Sequence, residues 1–246
     1  MDITKITKNT KAKKSREAKP LSAFLDLFNS TNSALEEVSN LGASDATKET
    51  LLKGHIINTV TAVEVYYRDM LDSVFRLCKP SSFNDKLKKL HDKNYKIDDL
   101  IELYVNRVHP LELVASSLSF QNIQSIEKVF STLIGKPFFK QAKQVKWRLA
   151  EKPESEFEVT HEDINTLQEI FDERHQLIHN PSKHFALSEK IIMDKINSIL
   201  SVIMASDLVL IQFINENIDP EISSNIYMTA PVNSTSQATN GKPPVI

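Results

Sequence analysis

The sequence predicts an all-α protein, a helical bundle whose first and last bundle helices are long. Three observations lead to this fold class. Apolar residues recur at intervals of three and four along most of the chain, caps and breakers separate those segments, and alternating strand patterns are scarce. With 246 residues, of which 41% are hydrophobic, the chain suits one substantial domain with tails.

Composition divides the chain into three parts. Residues 1–19 are polar, rich in lysine and without a hydrophobic period, so we expect a basic flexible tail. Residues 20–218 carry the predicted helices and form the helical domain. Residues 219–246 are rich in Ser, Thr, Asn and Pro, and we expect a disordered polar tail there.

Two helices are expected before Pro80. The first covers residues 21–38, where the polar patch at 29–33 is a candidate interruption. The second is long, from about residue 46 to 77, because one wide apolar stripe runs along it. Pro80 stops this helix, since proline disfavours helical geometry in the residue before it.

The middle of the chain predicts shorter elements. Apolar spacing indicates three helices, over residues 96–108, 110–117 and 121–133. Gly135 suits the left-handed cap that closes the third. Residues 136–152 are expected to continue as a basic helix, and residues 153–156 to form a loop.

The last two helices have the clearest boundaries. Thr160 followed by Asp163 is close to a capping box, and the helix it starts is expected to reach about His179, before Asn180-Pro181. The final helix starts at Ser188 and is apolar over most of its circumference, so it should lie at the centre of the bundle. Asp207 in its middle would be costly inside a bilayer, which favours a buried helix over a membrane span.

Composition excludes several classes of site. The chain has four glycines, no two of them close together, so it can build neither a phosphate-binding loop nor a dinucleotide fingerprint. The single Cys78 excludes an intramolecular disulfide and a cysteine-based zinc site, and the seven histidines of the chain show no HExxH or comparable metal spacing. We therefore predict no metal and no cofactor. No secretory signal is evident, and we expect a cytoplasmic protein.

The formal charge of −2 conceals two basic segments. Residues 1–20 hold seven Lys or Arg against two acids, and residues 136–152 hold six against one. The second segment interleaves cations with aromatic rings, a mixture that can stack bases and track phosphates. Its candidate RNA-binding residues are Lys140, Lys143, Lys146, Trp147 and Arg148. An amphipathic helix with core aromatics and solvated lysines is at least as good an interpretation.

Arg174 and His179 form the strongest chemical signal in the chain, an Arg and a His five positions apart near a helix end. RNA cleavage by internal attack needs a group that deprotonates the 2′-hydroxyl and a cation that stabilises the phosphorane. Histidine suits the first task, because its unperturbed pKa is roughly 6.5, and arginine suits the second. We therefore interpret His179 as general base or acid, and Arg174 as a phosphate clamp.

Helix geometry constrains this pair. Positions five apart are separated by about 140° around a regular helix. The two side chains converge if the helix unwinds near His179, or a second copy of the motif in a homodimer completes the site.

The segment Glu173-Arg174-His175-Gln176-Leu177-Ile178-His179-Asn180, followed by a helix break and a long apolar helix, resembles the HEPN superfamily of helical ribonucleases and nucleotide-binding domains. The hallmark of that family is an Arg, a polar residue, several further positions and a His, which Arg174, His175 and His179 match. Residues 61–70 also look like the first bundle helix of several HEPN families. The resemblance covers about 48–79 and 160–216.

The resemblance implies a HEPN-like bundle that dimerises, with two Arg–His motifs facing each other in one cleft. Active members are similar in being metal-independent endoribonucleases, often in toxin–antitoxin, phage-defence or abortive-infection systems. One departure is His175, which stands where Asn is commoner, and this leaves open whether His175 assists or fills space.

Four residues are predicted to support the pair: His175, Asn180, Glu173 and Glu64. Glu64 lies on the apolar side of the long helix and is a candidate for orienting the arginine. It could equally pair with Arg68 one turn away, which is the arrangement we favour.

The sequence thus supports two hypotheses. The first is a homodimeric HEPN-like ribonuclease that cuts RNA through Arg174 and His179, with an antitoxin or defence-complex partner. The second is a non-catalytic HEPN-like module for dimerisation or partner binding in a defence complex.

Overall fold

The computed structural model describes residues 20–90, 96–105, 110–149, 152–180 and 188–223. These residues are mostly helical, so the predicted all-α character is confirmed. The helices are α1 (Pro20–Asn40), α2 (Asp45–Leu77), α3 (Asn84–Leu90), α4 (Ile97–Val105), α5 (Pro110–Ser117), α6 (Ile123–Ile134), α7 (Phe138–Ala142), α8 (His161–His179), α9 (Glu189–Asn217) and α10 (Pro220–Ser223). The predicted tails, 1–19 and most of 219–246, lie outside the described residues.

Capping residues set the helix ends where the sequence predicts them. The Ser44 and Ser188 hydroxyls accept hydrogen bonds from backbone N–H groups at the starts of α2 and α9. Gly135 closes α6 at φ 79°, as predicted for a left-handed cap. The candidate interruption at 29–33 does not occur, because α1 runs unbroken through it.

The prediction for residues 136–156 is wrong. Instead of a basic helix and a loop, this region contains the short helix α7 and an antiparallel hairpin of β1 (Lys146–Leu149) and β2 (Lys152–Glu158). The hairpin forms because one face of each strand carries an apolar ring toward the core, and the charges of opposite sign pair across the other. The helix α3 and a 3₁₀ turn at Pro80–Ser82 were also not predicted.

The two long helices α2 and α9 run in the same direction. Tyr66 and Tyr67 of α2 contact Asp207 and Ser206 of α9, and the ends of both helices meet at a backbone bridge between Cys78 and Ile218. The separations from the tyrosine contacts to the bridge agree within one residue along the two helices, so the helices are parallel. The bridge is held by hydrogen bonds from Lys79 N–H to the Asn217 carbonyl (2.9 Å) and from Asp219 N–H to the Leu77 carbonyl (2.8 Å).

The core surrounds these two helices. The Tyr67 ring lies 5.5 Å from Phe130 and 6.2 Å from both Phe120 and Phe138, measured between centroids. α1 packs along α2, and α8 packs against both α2 and α9. α9 is long and apolar enough to span a membrane by composition, yet 61% of its most apolar window is buried. It is a core helix of the described fold, as the sequence predicts.

α4 differs from the other helices in what it exposes. Its apolar residues at spacings of three and four, Ile97, Leu100, Ile101, Tyr104 and Val105, all face outward, and Tyr104 is 85% exposed. Leu103 is the one side chain of α4 that is buried. An apolar stripe that packs against nothing in the described chain is uncommon on a monomer.

Candidate functional site

α8 carries the predicted site, and its sequence explains both of its ends. The Thr160 hydroxyl accepts a hydrogen bond from Asp163 N–H (3.1 Å), and the Asp163 carboxylate accepts one from Thr160 N–H (2.9 Å). This is a complete capping box. At the other end Asn180 N–H donates to the Gln176 carbonyl (2.8 Å), and the backbone leaves helical geometry only at Asn180. The helix is therefore regular through His179.

Arg174 occupies a position in the buried stripe of α8. The stripe is formed by Ile164, Leu167, Ile170, Phe171 and Leu177, and Arg174 falls between the last two at helical spacing. The side chain is half-buried, and its Nε is buried without a hydrogen-bond partner among the described residues. A fixed cation thus stands where packing alone would favour an apolar residue. Most buried donors are satisfied, so this one needs an explanation.

His175 and His179 lie together on the exposed side of the last turns of α8. They are one turn apart, both side chains are exposed, and their ring centroids are 4.4 Å apart with the ring planes at 56°. The exposed fraction of the intervening Ile178 is 46%. The structure therefore brings two imidazoles together, a juxtaposition that the spacing of Arg174 and His179 alone does not single out.

Arg174 and His179 do not share a face of α8. Because the helix is regular between them, they point about 140° apart, and the unwinding considered for one chain is not formed. Asn180 is the exposed C-cap of α8. Within one chain the arginine faces the core and the histidine faces outward.

Glu173 anchors the candidate site to α9. Lys195 of α9 contacts Glu173 at 2.7 Å and Glu169 at 2.8 Å. Burial by itself lowers the pKa of Lys195, but the hydrogen bonds to the two glutamates outweigh it, so the pKa is raised. The lysine is thus a permanent cation between two carboxylates. The second oxygen of Glu173, Oε2, is buried without a partner among the described residues.

Glu64 does not fit the orienting role predicted for it. Its neighbour Tyr66 contacts Asp207, whereas Glu173, next to Arg174, contacts Lys195. Asp207 and Lys195 are separated by about 18 Å along α9, at 1.5 Å per residue, so Glu64 and Arg174 lie at different heights in the bundle. The favoured pairing with Arg68 stays a prediction; Glu64 Oε1 is buried without a partner among the described residues.

His55 of α2 is a functional candidate that sequence reasoning missed. It is buried, and neither of its ring nitrogens has a hydrogen-bond partner among the described residues. Burial lowers the pKa of His55 to about 4, so the ring is neutral at physiological pH. His55 precedes Tyr66 in α2 by about as many residues as Lys195 precedes Asp207 in α9. Because the two helices are parallel and Tyr66 contacts Asp207, His55 and Lys195 lie at about the same height in the bundle. His55, Glu173 and Arg174, each with an unpartnered buried atom, therefore share one height.

The aromatic residues of the basic segment are not available to stack bases. Trp147 is 2% exposed and stacks on Phe157 across the hairpin, with ring centroids 6.2 Å apart. Phe138 and Phe139 are buried in the core as well. Stacking on RNA needs an exposed ring face, so the RNA-binding interpretation of Trp147 is corrected in favour of the core interpretation.

Most of the hairpin cations are paired with carboxylates. Lys146 lies 2.8 Å from Glu156 and 3.5 Å from Glu158, and Arg148 lies 3.5 Å from Glu156. These carboxylates cancel the positive charge that the sequence assigned to Lys146 and Arg148. Lys140 and Lys143 are exposed and remain the candidate phosphate contacts of this segment.

Within the described ranges, no group of three or more His, Cys, Asp or Glu side chains is arranged to hold a metal ion. No family model, no curated protein and no solved structure matches the chain. We therefore infer the function from the chemistry of α8 and its neighbours, and above all from the imidazole pair and Arg174.

Proposed function

We propose that this protein is a HEPN-type, metal-independent endoribonuclease that cuts RNA through Arg174 and His179 at the cleft of a homodimer. We further propose that it acts in a toxin–antitoxin or phage-defence system. The observation that carries the proposal is the combination on α8 of a guanidinium whose buried Nε has no partner among the described residues with two exposed imidazoles in contact. Cation, base and acid are the groups that metal-free RNA cleavage requires.

The two imidazoles can divide the proton transfers between them. In the proposed reaction His179 takes the proton of the 2′-hydroxyl as the 2′-oxygen bonds to phosphorus. The bond from phosphorus to the 5′-oxygen then breaks, and His175, protonated, donates its proton to that leaving oxygen. The products are a 2′,3′-cyclic phosphate and a free 5′-hydroxyl, and the enzyme ends with one proton exchanged between its two histidines.

Arg174 would stabilise the charge on the phosphorane. A guanidinium presents a planar fork of donors matched to phosphate oxygens, and it is worth most where water is excluded. The unpartnered Nε of Arg174 supports this role, because an ion pair within the chain would already use the donors that a phosphate needs.

In a homodimer, a second copy of the chain would supply the group that one helix cannot place beside Arg174. Arg174 and His179 diverge on one helix, so a substrate phosphate would contact the arginine of one protomer and the imidazoles of its partner. Exposed apolar residues at the same end of the bundle, Ile178 of α8 and Ile191 of α9, support a contact there. A two-fold axis at this end would give two equivalent sites in one cleft.

Cleavage of RNA in the presence of EDTA tests the proposal. We expect the wild type to cut structured and unstructured RNA in EDTA, and His179→Ala to lose about 10²–10⁴-fold in rate, the usual contribution of acid–base catalysis. His161→Ala is the matched control, because His161 is an exposed histidine at the other end of the same helix. Intact RNA with the wild type, or equal cleavage by His179→Ala, would sink the enzyme assignment.

A second candidate function is a non-catalytic module that binds a partner of a defence complex. The apolar face of α4 favours it, because Ile97 is 74% and Tyr104 85% exposed, as at an interface. Analytical ultracentrifugation of wild type and Tyr104→Lys separates the candidates. If this module is the function, the charge breaks an assembly, whereas a catalytic dimer through α8 keeps its mass and its activity.

A further inference from the structure

The imidazole pair at the end of α8 has a property that RNA cleavage does not require. His175 and His179 lie one turn apart on a regular helix, and both are exposed. We propose that these two side chains chelate one divalent late transition-metal ion, such as Zn²⁺, on the exposed face of α8. The proposal goes beyond the proposed nuclease activity and does not depend on it.

The spacing of the two rings suits a shared metal. A Zn–N bond is about 2.0–2.1 Å long, and the ring centroid lies roughly 1.2 Å beyond the nitrogen. Two imidazoles bound at 90–110° to one ion therefore have centroids about 4.5–5.3 Å apart. The observed separation of 4.4 Å is just below that range, so a small side-chain rotation that moves the rings apart brings both nitrogens to the ion.

The surroundings leave the imidazoles free and favour a cation. No hydrogen bond or ion pair between described residues involves either ring, so metal binding breaks no protein contact. The pair also lies at the C-terminal end of α8, where the helix dipole and the last carbonyl groups attract positive charge. A rigid helix backbone holds the two ligands together before the ion arrives, which lowers the entropy cost of chelation.

Ligand chemistry determines which metals fit. Neutral imidazole nitrogen suits Zn²⁺, Ni²⁺ and Cu²⁺, whereas Mg²⁺ and Ca²⁺ prefer oxygen ligands. Two protein ligands leave the other coordination positions to water, so the site should bind more weakly than a structural zinc site with four ligands. It should also exchange its metal freely with chelators.

The site has a consequence for catalysis that rests on the proposed function. A metal ion on His179 occupies the nitrogen that would take the proton of the 2′-hydroxyl. Zn²⁺ should therefore inhibit RNA cleavage, and EDTA should restore it. The ion would act as an inhibitor of a reaction that needs no metal.

Calorimetric titration of the EDTA-stripped, dialysed full chain with ZnCl₂ tests the site directly. We expect about one ion per chain, with affinity at least about tenfold lower in His175→Ala and in His179→Ala, since each removes one of two ligands. His161→Ala should bind like the wild type, and MgCl₂ should give no heat. The absence of Zn²⁺ binding by the wild type, or binding by both variants as tight as that of the wild type, would overturn the proposal.

Thermal unfolding is a second test of the metal site, and it does not depend on catalysis. An ion that bridges one turn of the native helix raises the melting temperature of the wild type, because the unfolded chain lacks the preformed pair. Neither single variant should show this rise. Without zinc, the wild type and both variants should have the same melting temperature, because both histidine side chains are exposed. If zinc binds as expected but the wild type leaves RNA intact, the nuclease proposal fails and the metal site stands.

Discussion

Two groups of polar side chains, one between α2 and α9 and one beside the start of α9, differ in whether their buried atoms find hydrogen-bond partners among the described residues. At mid-height the Tyr66 hydroxyl donates to Asp207 at 3.0 Å, and Tyr67 and Ser206 share a hydrogen bond at 2.9 Å. Near the start of both helices, His55, Glu173 and Arg174 keep buried atoms without partners.

This difference separates a structural role from a functional one. In a closed pair such as Tyr66–Asp207 the donor and the acceptor satisfy each other and leave nothing for a ligand. An unpartnered buried donor costs stability and is retained where something outside the chain uses it. The Glu64 Oε1 and Arg148 Nε atoms are also buried without partners among the described residues. Glu173 and Arg174, however, adjoin the imidazole pair in the sequence, so we expect the chemistry there.

The largest expected effect is on catalysis. Arg174→Ala should lower the single-turnover rate of RNA cleavage by about 10²–10³, the usual cost of removing one preorganised donor from a transition state. Arg174→Lys should not restore it, because an ammonium lacks the bidentate fork. Arg148→Ala is the control, because it removes a hairpin arginine that is already paired with Glu156. If Arg148→Ala slowed cleavage as much as Arg174→Ala, the role proposed for Arg174 would be contradicted.

The two groups should also respond to pH in opposite directions. His55 has a pKa near 4 in the folded protein and about 6.5 unfolded, so between these values the unfolded chain binds a proton that the folded chain does not. Its contribution to stability is complete above pH 6.5 and is lost as pH falls, by about 3 kcal/mol in total. Urea denaturation of His55→Leu at pH 7 and 4.5 should show a smaller acid loss than the wild type; an equal loss refutes this.

The contribution of Asp207 to stability should depend on pH in the opposite direction. Burial raises the pKa of Asp207 to about 6, although the hydrogen bond from Tyr66 opposes the shift. The folded state holds a proton that the unfolded state releases near pH 4, so this contribution is present below pH 4 and is lost as pH rises to 6. Asp207→Asn, which keeps the acceptor oxygen, should raise the free energy of unfolding at pH 8 by up to about 3 kcal/mol and little at pH 4. No gain at pH 8 would contradict it.

The smallest effect concerns the stability cost of the arginine. Arg174→Met should leave the free energy of unfolding unchanged or raise it by about 1 kcal/mol, because an apolar side chain replaces an unpartnered buried donor in an apolar stripe. Tyr66→Phe is the matched change in the closed group, and it should destabilise by about 1 kcal/mol and leave cleavage unaltered. Chemical denaturation of both variants measures the contrast, and a loss of stability in Arg174→Met would show that the guanidinium is structural.

Local signals in the sequence predicted much of the fold. The ends of α8 and the start of α9 follow from Thr160, His179 and Ser188, because caps depend on a few neighbouring residues. The hairpin could not be predicted this way. Lys146 and Trp147 fit the pattern of a basic helix, and only their pairing with Glu156 and Phe157 on the opposite strand distinguishes a hairpin. Strand pairing depends on contacts that helical periodicity does not report.

The site was predicted in part, for a similar reason. Arg174 and His179 are visible as residue types, and the contact of His175 with His179 follows from their spacing on a helix. The unpartnered state of His55 and Arg174 depends on which side chains of other helices lie opposite them. A single histidine in the apolar stripe of α2 gives no local signal of that kind.

The backbone bridge between Cys78 and Ile218 has a consequence for synthesis. It joins the ends of two parallel helices that are far apart in the chain, so α2 cannot form this contact until α9 has left the ribosome. α8, which packs against both, is in the same position. The imidazole pair and the arginine are therefore set in place only when translation of the domain is nearly complete. Under the proposed function, a nascent chain held beside ribosomal RNA would carry the residues for cleavage without the arrangement that cleavage needs.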